Sequence, residues 1–405
     1  MNTNKSSTNH TTKILITLFP MILQIGYWGM LKLMVPVLPN LNTVFAVSTR
    51  DISTMVSLSF ILSGCSSIIW GALIENRSNT AIMSAVVSSG IVALTITATT
   101  NTFWVFCIFY ITSCIITNVF SIYSRHFPMM YLRDPAAIKQ SITLRLSGGY
   151  FATFFAPFLG GIISKYWGWR YSFLVIIIWL IIIYIISKNI GDPNIKYEDS
   201  TFWQTLTNSF SHLKNLRFRR NLAILSCGNA ITQSYVVSIP FWLERTYHIT
   251  ADKIAFYYLL PVLLPGIIAP LIPGYIAQHH NNDKIRIILY MTIFSIAGIL
   301  PFVAIMPNRL PAFFWIIPGL LSNISMVALT PIISYNAFFQ IKTAQNSASS
   351  LFSMCSYLSG GCAMYITLHH ININNFYLEG VLILFMAIIM CYNFIAINRD
   401  LRRVK

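Results

Sequence analysis

Long unbroken apolar runs are the feature of this sequence that most constrains its fold. Between Ser172 and Ser187, for example, every residue is aliphatic or aromatic. A helix needs about 20 apolar residues to cross the hydrocarbon core of a bilayer, and continuous runs of this length indicate membrane helices. We predict twelve spans, at residues 14–38, 52–74, 81–99, 103–124, 142–164, 170–187, 221–243, 254–276, 285–305, 311–335, 345–368 and 377–397.

The composition excludes the other common classes of protein. Of the 405 residues, 56% are hydrophobic and only 9% are charged, whereas soluble globular domains carry about 25% charged residues. This excludes an ordinary soluble enzyme, a secreted disulfide scaffold and a disordered chain. The strands of an outer-membrane barrel alternate in polarity over about 10 residues, and these runs do not alternate. We therefore predict an all-α integral membrane protein.

The positions of Lys and Arg predict the orientation in the membrane. With an even number of spans and both termini in the cytoplasm, most of the 27 Lys and Arg residues fall on the cytoplasmic side, as positively charged cytoplasmic loops require. We place Lys32 inside a span, and only Arg50, Lys165, Arg170, Arg245, Lys253 and Arg309 on the outer side. The net charge of +16 is then explained by topology and by contact with anionic lipid. We expect a multi-pass protein of the inner (plasma) membrane and no nucleic-acid partner.

The chain divides into two halves of six spans around its one long internal polar stretch. A turn after span two, residues 71–77, shares a Gly followed by polar and basic character with residues 274–280 after span eight. Parallel six-helix repeats are a known transporter plan; chance similarity of two short turns is the alternative. The predicted organisation is a tail at 1–13, a bundle at 14–187, a cytoplasmic connector at 188–220 with an amphipathic helix at 201–218, a bundle at 221–397, and a basic tail at 398–405.

Four motifs in chain order resemble those of one family. Residues 71–77, Gly-Ala-Leu-Ile-Glu-Asn-Arg, resemble the loop motif of the major facilitator superfamily. Residues 152–161 in span five are similar to its antiporter motif, Gly-x-x-x-Gly-Pro-x-x-Gly-Gly. Residues 168–173 and 35–39 resemble motifs of the twelve-span drug:proton antiporter branch, the latter of its bicyclomycin-resistance group. The resemblance implies the major facilitator fold, with two six-helix pseudo-repeat bundles.

The resemblance also implies residues that change the conformation of the protein. It assigns Pro157, Gly160 and Gly161 a role in deciding which face opens, although plain tight helix packing describes the same residues. By the same resemblance Gly71, Glu75 and Arg77 lock the cytoplasmic gate, with a merely solvated turn as the alternative.

Departures from the family motifs point to the substrate. Lys32 stands where the bicyclomycin-resistance group has Asp, and no Asp or Glu lies in the middle of any predicted span. A charge within the bilayer is costly and is kept for a reason, so a cation without a carboxylate favours an anionic substrate. The alternative is a Lys32 side chain that extends to the membrane surface.

Several polar and aromatic residues complete the predicted substrate-binding set. Gln24 lies two turns before Lys32 on one helix face, and Tyr27 and Trp28 flank it, either to stack on a substrate or to form an interfacial belt. Polar residues in spans usually face the bundle interior, where they bind other helices or a ligand. On that basis we add Asn118 in span four, Asn229 and Gln233 in span seven, and Asn323 and Asn336 in span ten.

These observations together predict a secondary transporter that exports a small organic anion, such as a metabolite or a carboxylate siderophore, by alternating access. A proton-coupled multidrug efflux pump, an uptake permease for an organic anion and a non-transporting sensor are the alternatives. The candidate coupling ion is H⁺, which an acid at a span end such as Glu244 would have to carry. We expect a monomer, with no catalytic residue, cofactor or metal site.

Overall fold

The computed structural model describes residues 10–75, 77–132, 134–192, 202–249, 264, 311–338, 345–370 and 377–403. Apart from residue 264, the predicted spans 254–276 and 285–305 lie outside these ranges, as does the turn at 274–280. The described residues form helices and turns, with no strand among them.

The first half is a sequence of long helices joined by short turns. Its helices are α1 (His10–Lys32), α2 (Leu38–Phe45), α3 (Thr49–Glu75), α4 (Asn79–Thr99), α5 (Phe103–Tyr131), α6 (Pro135–Tyr166) and α7 (Tyr171–Ile190).

The second half begins with a short connector helix and continues with four long helices in the described ranges. They are α8 (Phe202–Ser211), α9 (Leu216–Tyr247), α10 (Ile316–Phe338), α11 (Gln345–His370) and α12 (Tyr377–Arg403).

The helices that can cross a membrane coincide with the predicted spans. Among the described residues, six helices are long and apolar enough by length and composition: Lys13–Lys32, Arg50–Ile74, Asn79–Thr99, Phe103–Arg125, Gln140–Tyr166 and Tyr171–Ile190. These are the first six predicted spans. Helix α7 directs Leu174, Ile178 and Ile185 outward, each about half exposed. A contiguous outward-facing apolar surface is typical of a contact with lipid or with another protein, which agrees with a peripheral sixth span.

The first span ends earlier than predicted. Helix α1 stops at Lys32, a short 3-10 turn follows at Val35–Val37, and α2 then begins at Leu38. The reason is Pro36, whose ring would clash with the carbonyl of Lys32 four residues before it and which has no N–H to donate. Pro39 is tolerated because it lies in the first turn of α2. Lys32 is therefore a helix-terminal residue, and a cation is favourable at a helix C-terminus.

The two halves pack against each other along α3 and α11. At Gly64 an added Cβ would lie 3.0 Å from the backbone nitrogen of Leu358, and at Gly361 it would lie 3.0 Å from that of Ile61. Small residues let membrane helices approach this closely. The backbones of α3 and α11 thus form the central contact between the halves.

The connector helix α8 contacts α3 of the first half and α11 of the second. The His212 ring Nε2 lies 2.8 Å from the Ser347 hydroxyl. The helix is shorter than the predicted 201–218 segment because Asn215 caps the next helix: its Oδ1 accepts hydrogen bonds from the N–H groups of Arg217 and Phe218, at 3.0 and 3.2 Å. We call the end of the molecule that carries α8 the connector face.

Candidate substrate-binding site

The Lys32 ammonium lies between the two halves of the protein. Its side chain is 2% exposed, and Nζ donates a hydrogen bond to Oε1 of Gln233 on α9 over 3.1 Å. The structure therefore directs this cation into the protein and not toward lipid. Its acceptor is a neutral amide, so the positive charge is solvated but not neutralised.

Aromatic rings surround the same ammonium. Nζ lies 5.3 Å from the ring centroid of Phe60 on α3 and 5.9 Å from that of Trp28 on α1. Tyr27 is fully buried, and its ring centroid lies 5.4 Å from that of Tyr357 on α11. At their distances from Nζ, the rings of Phe60 and Trp28 attract the ammonium through their negative faces. Helices α1 and α3 thus supply an aromatic enclosure around Lys32, and the Tyr27–Tyr357 contact joins α1 to α11.

The predicted polar residues of α9 lie where that helix meets α11. Asn229 donates a hydrogen bond to the backbone carbonyl of Ser356 over 2.6 Å. An added Cβ at Gly360 would lie 3.2 Å from Nδ2 of Asn229 and 3.3 Å from Cγ of Gln233. Gly360 therefore makes room for both side chains, Asn229 ties α9 to α11, and Gln233 reaches Lys32.

The other predicted polar residues are distributed differently. Nδ2 of Asn118 lies 2.6 Å from the carbonyl of Ser63 and 2.9 Å from the hydroxyl of Ser67, so this residue joins α5 to α3. Gln24 is buried, and among the described residues its Oε1 has no hydrogen-bond partner. Asn323 is buried in α10. Asn336 also belongs to α10, but its side chain lies outside the described residues.

Helix α11 supplies residues that the sequence analysis missed. The polar pattern pointed to spans one, four, seven and ten, whereas α11 packs most extensively on the first half among the second-half helices that the structure describes. Its Tyr357 hydroxyl lies 2.6 Å from the hydroxyl of Ser121 on α5. The available signal was the run of small residues at 347–361, which is typical of close helix contact.

Two arginines closer to the connector face were also missed. Arg145 is 9% exposed, and Arg125 is half-buried with its Nη1 3.4 Å from the Ser349 carbonyl and its guanidinium 5.2 Å from the Phe352 ring centroid. Among the described residues, neither Nε has a hydrogen-bond partner. The sequence analysis assigns both to the cytoplasmic side. Their positions relative to the predicted spans could have indicated burial, since Arg145 lies within predicted span 142–164 and Arg125 directly follows span four.

Carboxylates are remote from these cations wherever side chains are described. Asp51, Asp134 and Asp192 are exposed. Of the ionisable groups that the structure describes, those close enough to interact electrostatically with Arg145 are Arg125, Tyr357 and Tyr150. The described interface between the halves is thus electropositive, and an arrangement of this kind binds anions.

The predicted gate residues lie at the end of α3. Gly71 is buried, Arg77 is exposed, and the side chain of Glu75 lies outside the described residues. The following turn is held by the first half: Thr80 donates its backbone N–H to Asp192 over 2.9 Å, and a carboxylate is favourable at the start of a helix such as α4.

In α6, Pro157 and Gly160 are buried and Gly161 is partly buried. An added Cβ at Gly161 would meet no atom within 4 Å. Close packing therefore does not require a glycine at position 161 in this conformation.

No metal site is built from the described residues. No three His, Cys, Asp or Glu side chains among them come together, and the seven cysteines are free thiols.

The sequence profile of the Major Facilitator Superfamily matches residues 20–364. The chain belongs to this superfamily, and the predicted all-α fold is confirmed. A similar fold is seen in the crystal structure of the human organic anion transporter MFSD10 (TETRAN), with a TM-score of 0.68 and 12% identity over 94% of this chain and 99% of that chain. At this identity the likeness concerns the fold alone.

A relative with detectable sequence similarity is sodium-dependent phosphate transport protein 4 of Homo sapiens. It is 26% identical over 184 residues, which are 41% of this chain and 44% of the relative. The matched region thus spans less than half of that protein. The resemblance to the drug:proton antiporter branch remains a resemblance of motifs.

Proposed function

We propose that this transporter exports a small organic anion, such as a metabolite or a carboxylate siderophore, from the cytoplasm across the inner (plasma) membrane. The observation that carries the proposal is the buried Lys32 ammonium, which lies between the two halves and has a neutral amide as its hydrogen-bond acceptor. Export is favoured over uptake because residues 152–161 resemble an antiporter motif.

The charge distribution supports an anion over a cationic drug. Removing a cation from water costs several kcal/mol unless an anion or good acceptors replace the water. At Lys32 the partner is uncharged, so a substrate carboxylate gains a full charge–charge attraction there. A cationic drug would instead meet repulsion without a described carboxylate to offset it. The two similar proteins, which are named as an organic anion transporter and a phosphate transport protein, agree with this substrate class.

The proposed binding set follows from the positions of the side chains. Lys32 binds the anion, Gln233 gives up its hydrogen bond to the ammonium, and Tyr27, Trp28 and Gln24 contact the rest of the substrate. Asn229 holds α9 in place, and Asn118 holds α5. Asn323 and Asn336 belong to the proposed set from α10.

Alternating access requires the two halves to rock about α3 and α11. Opening at the connector face would break the contacts of Arg125 with Ser349 and of Ser121 with Tyr357. Pro157, Gly160 and Gly161 would allow α6 to bend, and Gly71, Glu75 and Arg77 would stabilise the closed connector face. We propose H⁺ as the coupling ion and a monomer as the working unit, with both termini in the cytoplasm.

The test is anion profiling in bacteria that express the wild type, Lys32→Ala, Lys32→Arg or Lys13→Ala. Lys13 is the matched control because it is an exposed lysine of the same helix. We expect a specific anion to pass from cells to medium with the wild type and Lys13→Ala, to do so partly with Lys32→Arg, and to stay in the cells with Lys32→Ala. A protonophore should stop the flux.

Each alternative has its own result. Accumulation of an anion in the cells would identify an uptake permease. An unchanged anion profile with raised tolerance to cationic drugs, in both the wild type and Lys32→Ala, would contradict the proposal and support a multidrug pump. The absence of both anion flux and drug efflux would contradict the proposal and support a non-transporting sensor.

A further inference from the structure

The arginine pair near the connector face is a buried charged group that the Lys32 site does not use. Arg125 lies at the end of α5 and Arg145 in the early turns of α6. They are close enough for the charge of one to affect the other. Helix α11 closes the group from the second half through Ser349, Phe352 and Tyr357.

Two like charges are held together here with little compensation. Arg145 is more than nine-tenths buried, and its Nε and that of Arg125 are buried without partners among the described residues. Within the part of the chain that the structure describes, the hydrogen bond from this pair to the protein runs from Arg125 to the Ser349 carbonyl, and it is long at 3.4 Å. Buried guanidinium groups normally make most of their five N–H bonds. The unused donors and the mutual repulsion are both relieved by an anion between the two side chains.

The chemistry of the donors selects the kind of anion. A guanidinium presents a rigid fork of N–H groups that matches two oxygens of a phosphoryl group or a carboxylate. Two such forks that are buried next to the same helix, α11, fit a single compact group that has at least three acceptor oxygens and up to two negative charges. A phosphoryl group meets this description, while a carboxylate has only two oxygens and one charge.

We propose that Arg125 and Arg145 form a phosphoryl-binding site near the connector face, separate from Lys32. In an exporter this site is the first that a substrate meets, so the inference deepens the proposed function, on which it rests, by naming a phosphorylated anion as the substrate class. The site holds the phosphoryl group, and Lys32 with its aromatic enclosure takes the substrate further along the path.

The experiment measures the melting temperature of the purified full-length protein in a zwitterionic detergent, with inorganic phosphate as the probe and sodium chloride of equal ionic strength as the reference. A ligand at about one hundred times its Kd raises the melting temperature of a protein of this size by about 3 °C. We expect such a shift for the wild type and for Arg219→Gln, which removes an exposed arginine. The shift should be lost in Arg145→Gln and in Arg125→Gln.

The melting temperature of Arg145→Gln without phosphate distinguishes a binding role of Arg145 from a structural one. Removal of an unpaired buried charge should leave the melting temperature of Arg145→Gln equal to or above that of the wild type in chloride. A lower melting temperature in chloride, together with an unchanged phosphate shift, would assign Arg145 to structure and overturn the proposal. So would the absence of any phosphate shift in the wild type, or a larger shift with succinate than with phosphate.

A membrane lipid is the other source of a phosphoryl group at this depth. The measurement is therefore repeated in nanodiscs of phosphatidylcholine with and without phosphatidic acid. A phosphate shift that persists in both supports a soluble ligand, whereas one that phosphatidic acid abolishes supports a lipid headgroup in the same site. Phosphate binding without anion flux would contradict only the proposed export, and anion flux through Lys32 without phosphate binding would contradict only this inference.

Discussion

The interface between the two halves carries buried cations at two places, which differ in construction. We call them the Lys32 level and the arginine level, the latter formed by Arg125 and Arg145. At the Lys32 level the ammonium has an amide acceptor at 3.1 Å and aromatic rings on two sides. At the arginine level two guanidinium groups lie near each other, and their Nε atoms are buried without partners among the described residues. Both levels are formed where α1, α5 and α6 of the first half face α9 or α11 of the second.

The two levels therefore require different things from a ligand. A cation with an acceptor is stable in the empty protein, so a substrate must displace an existing hydrogen bond to bind it. A pair of cations without acceptors is unstable until an anion arrives. The first arrangement favours transient contact during transport, and the second favours capture.

The largest effect is expected from a change that abolishes the net charge of the Lys32 level. Gln233→Glu places a carboxylate 3.1 Å from the ammonium, and the resulting ion pair leaves no charge for the substrate. We expect anion export to fall by a factor of about 100, which corresponds to about 2.7 kcal/mol, while the protein remains folded. Export assays on Gln233→Glu and on Gln233→Asn, which keeps a neutral amide, measure this. Equal export by the two variants would contradict the assigned role of Lys32.

Neutral replacements at the two levels should change the stability of the protein in opposite directions. Lys32→Met leaves the buried Oε1 of Gln233 without its donor and should lower the stability by about 1–2 kcal/mol. Arg145→Gln removes an uncompensated charge and should raise the stability by about 1 kcal/mol in the absence of phosphate. Melting temperatures of both variants in chloride give the comparison. Shifts of the same sign would show that the two levels do not differ as described.

Both levels depend on the same helix contact, so a change there should affect them together. Gly361→Ala places a Cβ 3.0 Å from the backbone nitrogen of Ile61, and overpacking of this kind costs about 1–3 kcal/mol. Gly161→Ala is the matched control, since nothing lies within 4 Å of its added Cβ. We expect a lower melting temperature and slower export for Gly361→Ala alone. Equal behaviour of the two variants would show that α3 and α11 do not need this close approach.

The smallest effect is expected from the hydrogen bond that crosses the interface between the levels. Ser121→Ala removes the partner of the Tyr357 hydroxyl, at a cost of about 1 kcal/mol. Ser88→Ala serves as the control because the Ser88 hydroxyl, as far as the described residues go, bonds within its own helix. A melting temperature of Ser121→Ala as high as that of Ser88→Ala would show that the bond contributes nothing to closure.

Much of the fold could be predicted because membrane helices are defined by local sequence. An apolar run of sufficient length must satisfy its backbone hydrogen bonds within itself, whatever its neighbours are. The helices Asn79–Thr99 and Gln345–His370 therefore begin and end within two residues of the predicted spans. Other helices run further than their predicted spans, as Phe103–Tyr131 and Pro135–Tyr166 do. Span one is instead cut short, because Pro36 ends α1 at Lys32 although the apolar character continues.

The candidate site was predictable only in part, because it depends on which helices meet. Lys32 and Gln233 were both singled out by their polarity, but nothing local could show that they are hydrogen-bonded to each other across 201 positions of the chain. Tyr357 looked like an ordinary aromatic residue of an apolar span. Arg125 and Arg145 looked like ordinary basic residues at span ends, and only packing shows them to be buried together.

The polarity of consecutive residues is enough to specify the membrane environment, the helical class, the approximate positions of most helices and the absence of carboxylates from the middle of the spans. The tertiary structure decided that Lys32 faces Gln233 and not lipid, that α11 forms the central contact with α3, and that two arginines share one buried level. These properties arise between residues far apart in the chain, where the small side chains of Gly64 and Gly361 let two helices approach and the approach brings the charges together.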